Sequence, residues 1–87
     1  MNTFHLVVSS PDGDIYNGEC VKLDVRGTEG ELAIMAGHSP FVTAVVKCNA
    51  AVWVDEDTKM EASTEGGLLS CAKDRVTFIS GTFKFLD

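Results

Sequence analysis

Eighty-seven residues, 45% of them apolar, suffice for one domain with a modest core and are too apolar for intrinsic disorder. The formal net charge of −6 makes a surface that repels nucleic-acid backbones and anionic lipid, which points to neutral or basic protein surfaces as partners. No stretch approaches the roughly 20 apolar residues of a membrane-spanning helix, and Met1-Asn2-Thr3-Phe4-His5-Leu6 lacks the basic region and apolar run of a secretion signal.

The dominant period along the chain is two. Phe4 to Val8 reads as a strand, and Pro11-Asp12-Gly13-Asp14 as a turn, because proline presets one turn angle and glycine supplies a positive one. Ile15-Tyr16 begins the return strand of a hairpin. In Val21-Lys22-Leu23-Asp24-Val25-Arg26 apolar and charged residues alternate strictly, placing Val21, Leu23 and Val25 on one face. Leu32 and Ile34 mark a short strand between the glycines at 27, 30 and 37. Val42 to Val46 and Ala51 to Val54 read as separate strands by β-branched content. The acidic segment Asp55-Glu56-Asp57-Thr58-Lys59 is a solvated turn, after which Lys59 to Ser63 returns. Gly67 to Ala72 and Arg75 to Ser80 flank a turn at Lys73-Asp74, and Thr82 to Phe85 alternates once more.

No window shows the spacing of an amphipathic helix. Short strands between turn signals predict an all-β fold: a two-sheet β-sandwich of about ten short, mostly antiparallel strands, with residues 1–87 as a single domain.

Candidate chemistry is sparse. Cys20, Cys48 and Cys71 are widely spaced and odd in number, without zinc-ligand spacing, so reduced and mostly buried thiols are expected. His38 has no nucleophile beside it, since Ser39 points away in an extended chain. A small hydrolase using Cys71 or His38 would need a triad that the sequence does not assemble. Gly66-Gly67 precedes neither a helix nor a lysine, so it is no phosphate cradle. Neither a metal site nor a cofactor site is expected. Glu29 and Glu31 share one strand face, either as a solvated acidic edge or as an electrostatic contact. Trp53, on the face opposite Val52 and Val54, is either core or an exposed interface anchor.

Gly27, Glu29, Gly30, Glu31, Leu32, Ile34, Gly37, His38, Pro40 and Thr43 reproduce, with its internal spacing, a pattern that resembles the N-terminal β-sandwich domain of the epsilon subunit of rotary F-type ATP synthases. The likeness extends to the opening Phe4-His5-Leu6-Val7-Val8-Ser9 with Pro11-Asp12-Gly13, and to Gly66-Gly67-Leu68-Leu69 with Val76-Thr77-Phe78-Ile79. Departures are Ala33 for the usual glycine, Ala36 for a frequent proline, Lys47-Cys48-Asn49-Ala50 for a Pro-Gly hairpin, Ser70-Cys71 for a frequent acidic-aliphatic pair, and Ser80-Gly81-Thr82-Phe83 for an Ala-Asp segment. The sequence stops at Asp87, where typical bacterial members continue into a helical hairpin that brakes ATP hydrolysis and in some members binds ATP; a naturally short subunit and a cut one both fit this ending.

The resemblance implies a non-catalytic central-stalk subunit, not an enzyme in itself. It would link the gamma subunit to the membrane ring and support the coupling of proton or other ion flow to ATP synthesis. Ser9, His38 and Thr43 would lie on the gamma side, and Glu29 and Glu31 toward the ring. ATP binding, nucleic acid and direct membrane insertion are not expected. The implied location is peripheral, on the cytoplasmic face of the cell membrane. A free-standing β-sandwich binding module of the same fold is the alternative.

Overall fold

In the computed structural model, which describes residues 2–73 and 75–86, the alternating segments form β1 (Phe4–Ser10), β2 (Gly13–Cys20), β3 (Lys22–Gly27), β4 (Gly30–Met35), β5 (Phe41–Trp53), β6 (Lys59–Cys71), β7 (Arg75–Ile79) and β8 (Lys84–Phe85). They join in one hydrogen-bonded sheet in the order β2-β1-β7-β6-β5-β3-β4, with β8 pairing β6. All pairs are antiparallel except β1 and β7. The turn expected at Lys73-Asp74 falls partly on residue 74, outside the described residues.

The all-β architecture agrees with the alternation, but among the described residues the strand and sheet counts differ from expectation: eight strands in a single sheet, not about ten in two. Two expected breaks are absent. Val42 to Val46 and Ala51 to Trp53 fuse into β5, which leaves Val54 outside, because Lys47-Cys48-Asn49-Ala50 contains neither proline nor glycine to interrupt the ladder. Lys59 to Ser63 and Gly67 to Cys71 fuse into β6, which leaves Ala72 outside. These two 13-residue strands pair without a register shift from Phe41↔Cys71 to Trp53↔Lys59.

Glycine makes the long β6 possible where it passes between β5 and β7. Gly66 has φ +126°, and a side chain there would stand 2.6 Å from the Val45 carbonyl oxygen; one on Gly67 would collide with the Ile79 carbonyl. A buried hydroxyl pair holds this bend. Ser80 Oγ donates to the Gly66 carbonyl at 2.9 Å, the Gly66 amide donates to Thr64 Oγ1 at 3.0 Å, and the two hydroxyls meet at 2.9 Å.

The two halves of β6 have different neighbours: Leu68–Cys71 pairs with β7, while Ala62 and Ser63 pair with β8. The sheet thereby folds over one core. Leu6 and Val8 of β1 join Leu23 and Val25 of β3, Ile34, Val52, Leu69 and Phe78 in a single buried cluster, although β1 and β3 are not neighbours in the sheet. Burying such side chains stabilises the fold by about 1.5–3 kcal/mol each. The aromatic edge-to-face series Phe78–Phe83–Phe85–Tyr16, with ring centroids 5.2–6.3 Å apart, brings β2 over β8.

Candidate functional site

The outer side of the β5-β6-β7-β1 part of the sheet is the candidate interaction surface. Register sets Ala44, Leu68, Ile79 and Ser9 in one row across four strands, and Val42, Ser70, Thr77 and Val7 in the next. The alternate residues Leu69, Phe78 and Val8 are fully buried, which turns these two rows to the outer side, where Val7 is nonetheless covered at 8% exposure. Val42, Leu68 and Ile79 are 64%, 45% and 51% exposed, so large apolar side chains from three adjacent strands meet water together.

The outer side of the β4-β3-β5-β6 part is built differently. Met35, Lys22, Trp53 and Lys59 form one row. Trp53, left between core and interface by the sequence, is half-buried on this outer face beneath two ammonium groups, Lys59 Nζ at 5.3 Å and Lys22 Nζ at 5.7 Å from its ring centroid. Its indole N–H donates to Asp24 at 2.9 Å. Lys22–Asp24, Lys59–Glu61 and Arg26–Glu31 ion pairs cover the rest. This face is solvated by its own charges.

Glu29 and Glu31 stand exposed where β3 turns into β4. They rim a hollow of about 320 Å³ whose apolar wall is Leu32, Phe41 and Val42, with Thr43 beside it. Arg26 donates to Glu31 at 3.2 Å.

The structure does not gather Ser9, His38 and Thr43 into one patch. Ser9 lies in the apolar rows beside Ile79. Thr43 pairs with Leu69, so it points to the opposite side of the sheet and borders the acidic hollow. His38 sits after β4, close to the start of β1, where its ring meets Phe4 edge-on at 5.8 Å. Its Nδ1 lies 2.7 Å from the Met35 carbonyl and its Nε2 2.9 Å from that of Ala72.

Both His38 nitrogens thus face backbone carbonyls, not a nucleophile. Burial pushes the Cys71 thiol up to about 11, far from thiolate chemistry at neutral pH. Burial does the same to Cys20, also to about 11, whereas Cys48 is half-buried; all three are free. Glu19, remote on β2, is held below the ordinary carboxylate range by the Thr3 hydroxyl and then by the His5 ring. No helix among the described residues is long and apolar enough to cross a membrane, and none of their side chains forms a metal-binding group of three or more His, Cys, Asp or Glu.

The described residues form an all-β fold with one apolar and one charged outer face. Residues 3–85 match the family model of the ATP synthase, Delta/Epsilon chain, beta-sandwich domain, and the chain belongs to that family. Over its full length it is 33% identical to the ATP synthase epsilon chain of Wolbachia pipientis subsp. Culex pipiens (strain wPip), of which it covers 77%. It is 31% identical to that of Wolbachia pipientis wMel, covering 76%. Among solved structures, it resembles a chain of the Euglena gracilis mitochondrial ATP synthase (OSCP/F1/c-ring, rotational state 1) with a TM-score of 0.88 at 19% identity; 98% of this chain and 56% of that one are covered. A chain of the Tetrahymena thermophila mitochondrial ATP synthase central stalk and c-ring gives 0.77 at 9% identity, covering 94% of this chain and 66% of that one. At those identities the likeness is one of fold, and the chain spans little more than half of the Euglena chain.

Proposed function

We propose that this chain is a non-catalytic central-stalk subunit of a rotary F-type ATP synthase, linking the gamma subunit to the membrane ring and supporting the coupling of ion flow to ATP synthesis. The observation that carries this reading is the apolar face of Val42, Ala44, Leu68 and Ile79, set against an opposite face saturated with ion pairs. A domain that leaves three large apolar side chains on one face 45–64% exposed, and covers a tryptophan with lysines elsewhere, has one side made for a protein partner.

The gamma subunit takes the apolar face, with Ser9 in its first row, while Thr43 lies on the other side of the sheet beside the acidic hollow. Glu29 and Glu31, at the β3–β4 end, meet basic loops of the ring, where charge steers and sets register more than it adds affinity. The domain contributes stiffness: a packed core deforms little, so torque passes through it with the stalk's orientation on the ring preserved. It works peripherally, on the cytoplasmic face of the membrane, without cofactor or bound ATP.

The test is reconstitution. Membranes carrying a synthase depleted of this subunit are supplemented with the full chain, and ion-driven ATP synthesis is measured. Restored synthesis together with co-purification of the gamma subunit is the expected result. A chain that binds neither the gamma subunit nor the ring rejects the proposal.

A further inference from the structure

We infer that His38 is a positioning residue: it clips the turn before β5 to the end of β6, so that Val42 is held in the apolar face, and it does not itself touch the partner. The inference rests on the proposal that this face receives the gamma subunit.

The clip replaces a missing rung of the ladder. The β5–β6 register ends at Phe41↔Cys71, and one further step would set Pro40 opposite Ala72. Proline has no N–H to donate, so the ladder cannot continue by that route. The imidazole reaches across instead, placing Nε2 2.9 Å from the Ala72 carbonyl, a contact spanning 34 residues of sequence. Its other nitrogen lies 2.7 Å from the Met35 carbonyl, at the end of β4. With its proton on Nε2 the ring donates to the Ala72 carbonyl and so ties the turn to the end of β6, its other edge lying against the end of β4.

Two further features fix that ring. Gly37 has φ +85°, a conformation open to glycine, and this turns the chain so that the following side chain points back. Phe4, 4% exposed, packs its ring edge-on against the imidazole at 5.8 Å. With both nitrogens directed at carbonyls and the ring against a core phenylalanine, His38 has no polar group left for a partner. Three residues on, Phe41 begins the ladder; Val42, the most exposed large apolar residue of the face, comes next. A frayed turn would have to be ordered again on binding, and that cost would fall on affinity.

The test compares His38→Ala and His38→Gln with the parent in the full chain, reading gamma-subunit affinity and amide hydrogen exchange. Ile79→Asp is the reference for the face itself. Expected is about tenfold weaker binding for His38→Ala. Faster exchange confined to residues 37–43 and 72–73 should accompany it. His38→Gln, whose amide can still donate to a carbonyl, should recover most of the affinity, and Ile79→Asp should weaken binding by at least about tenfold. Equal loss in both His38 variants with unchanged exchange would make His38 a direct contact and overturn the inference. Full binding by His38→Ala overturns it too, while leaving the face intact. Full binding by Ile79→Asp overturns the docking face and the positioning role with it.

Discussion

Glu31 leaves β4 with its side chain 80% exposed and holds Arg26 at 3.2 Å, the Arg26 side chain itself being 55% exposed. An ion pair so open to water is screened and contributes little to folding. Glu31→Gln should therefore shift stability by less than about 0.5 kcal/mol in thermal unfolding. Glu31→Lys should leave the melting temperature nearly as unaffected but lower coupled ATP synthesis in reconstituted membranes, because it sets like charge against basic ring loops; coupling left intact would remove Glu31 from the ring contact. The thiols separate just as clearly. Cys48 is half-buried, whereas Cys20 and Cys71 are buried and pushed up to about 11. A maleimide at neutral pH should label Cys48 first, and the other two only on unfolding, as peptide mass spectrometry would report. Motif spacing singles out His38, Glu29 and Glu31 in the sequence as candidates. That His38 spends its ring on the carbonyls of Met35 and Ala72 was hidden, because a contact across 34 residues leaves no local pattern.

At the scale of the strand, alternation made β3 legible: Leu23 and Val25 are buried while Lys22, Asp24 and Arg26 face outward. It failed at the two long strands, where polar or glycine-containing stretches resemble turns. Lys47 and Glu65, in the segments between the alternating runs, approach to 3.8 Å, and the ladder runs on beneath them. The glycines at 66 and 67 mark a close approach within a strand, not its end. This gives a graded prediction. Gly13→Ala meets no atom within 4 Å and bears only the cost of φ +127°, about 1–3 kcal/mol. Gly66→Ala carries a similar backbone cost at φ +126° and in addition drives a methyl against the Val45 carbonyl. Gly67→Ala has no positive φ but forces the Ile79 carbonyl away, breaking the β6–β7 pairing beside Leu68. Urea unfolding should rank Gly66→Ala above Gly13→Ala in destabilisation by at least about 1 kcal/mol. Equal values would mean that β6 does not bend where the geometry places the bend.

For the whole molecule, the sequence disclosed which residues alternate but not which rows align, since that depends on the register of strands distant in sequence. Only the register sets Val42, Leu68 and Ile79 on one side and Lys22, Trp53 and Lys59 on another. The two outer faces should consequently respond in opposite ways to charge. Ile79 is 51% exposed, so Ile79→Asp removes little buried apolar surface and should change stability by about 1 kcal/mol or less. Desolvating a carboxylate in the middle of an apolar interface is costly, so the same change should weaken assembly with the gamma subunit by at least about tenfold. Lys22→Glu with Lys59→Glu uncovers Trp53 and places new carboxylates beside Asp24 and Glu61. Tryptophan fluorescence should change and some stability should be lost, while assembly stays near the parental level because that face looks into water. Both variants are assayed by far-ultraviolet circular dichroism, melting temperature and co-purification with the gamma subunit. Assembly lost on the lysine face and retained for Ile79→Asp would exchange the two faces and overturn the proposed orientation of the domain on the stalk.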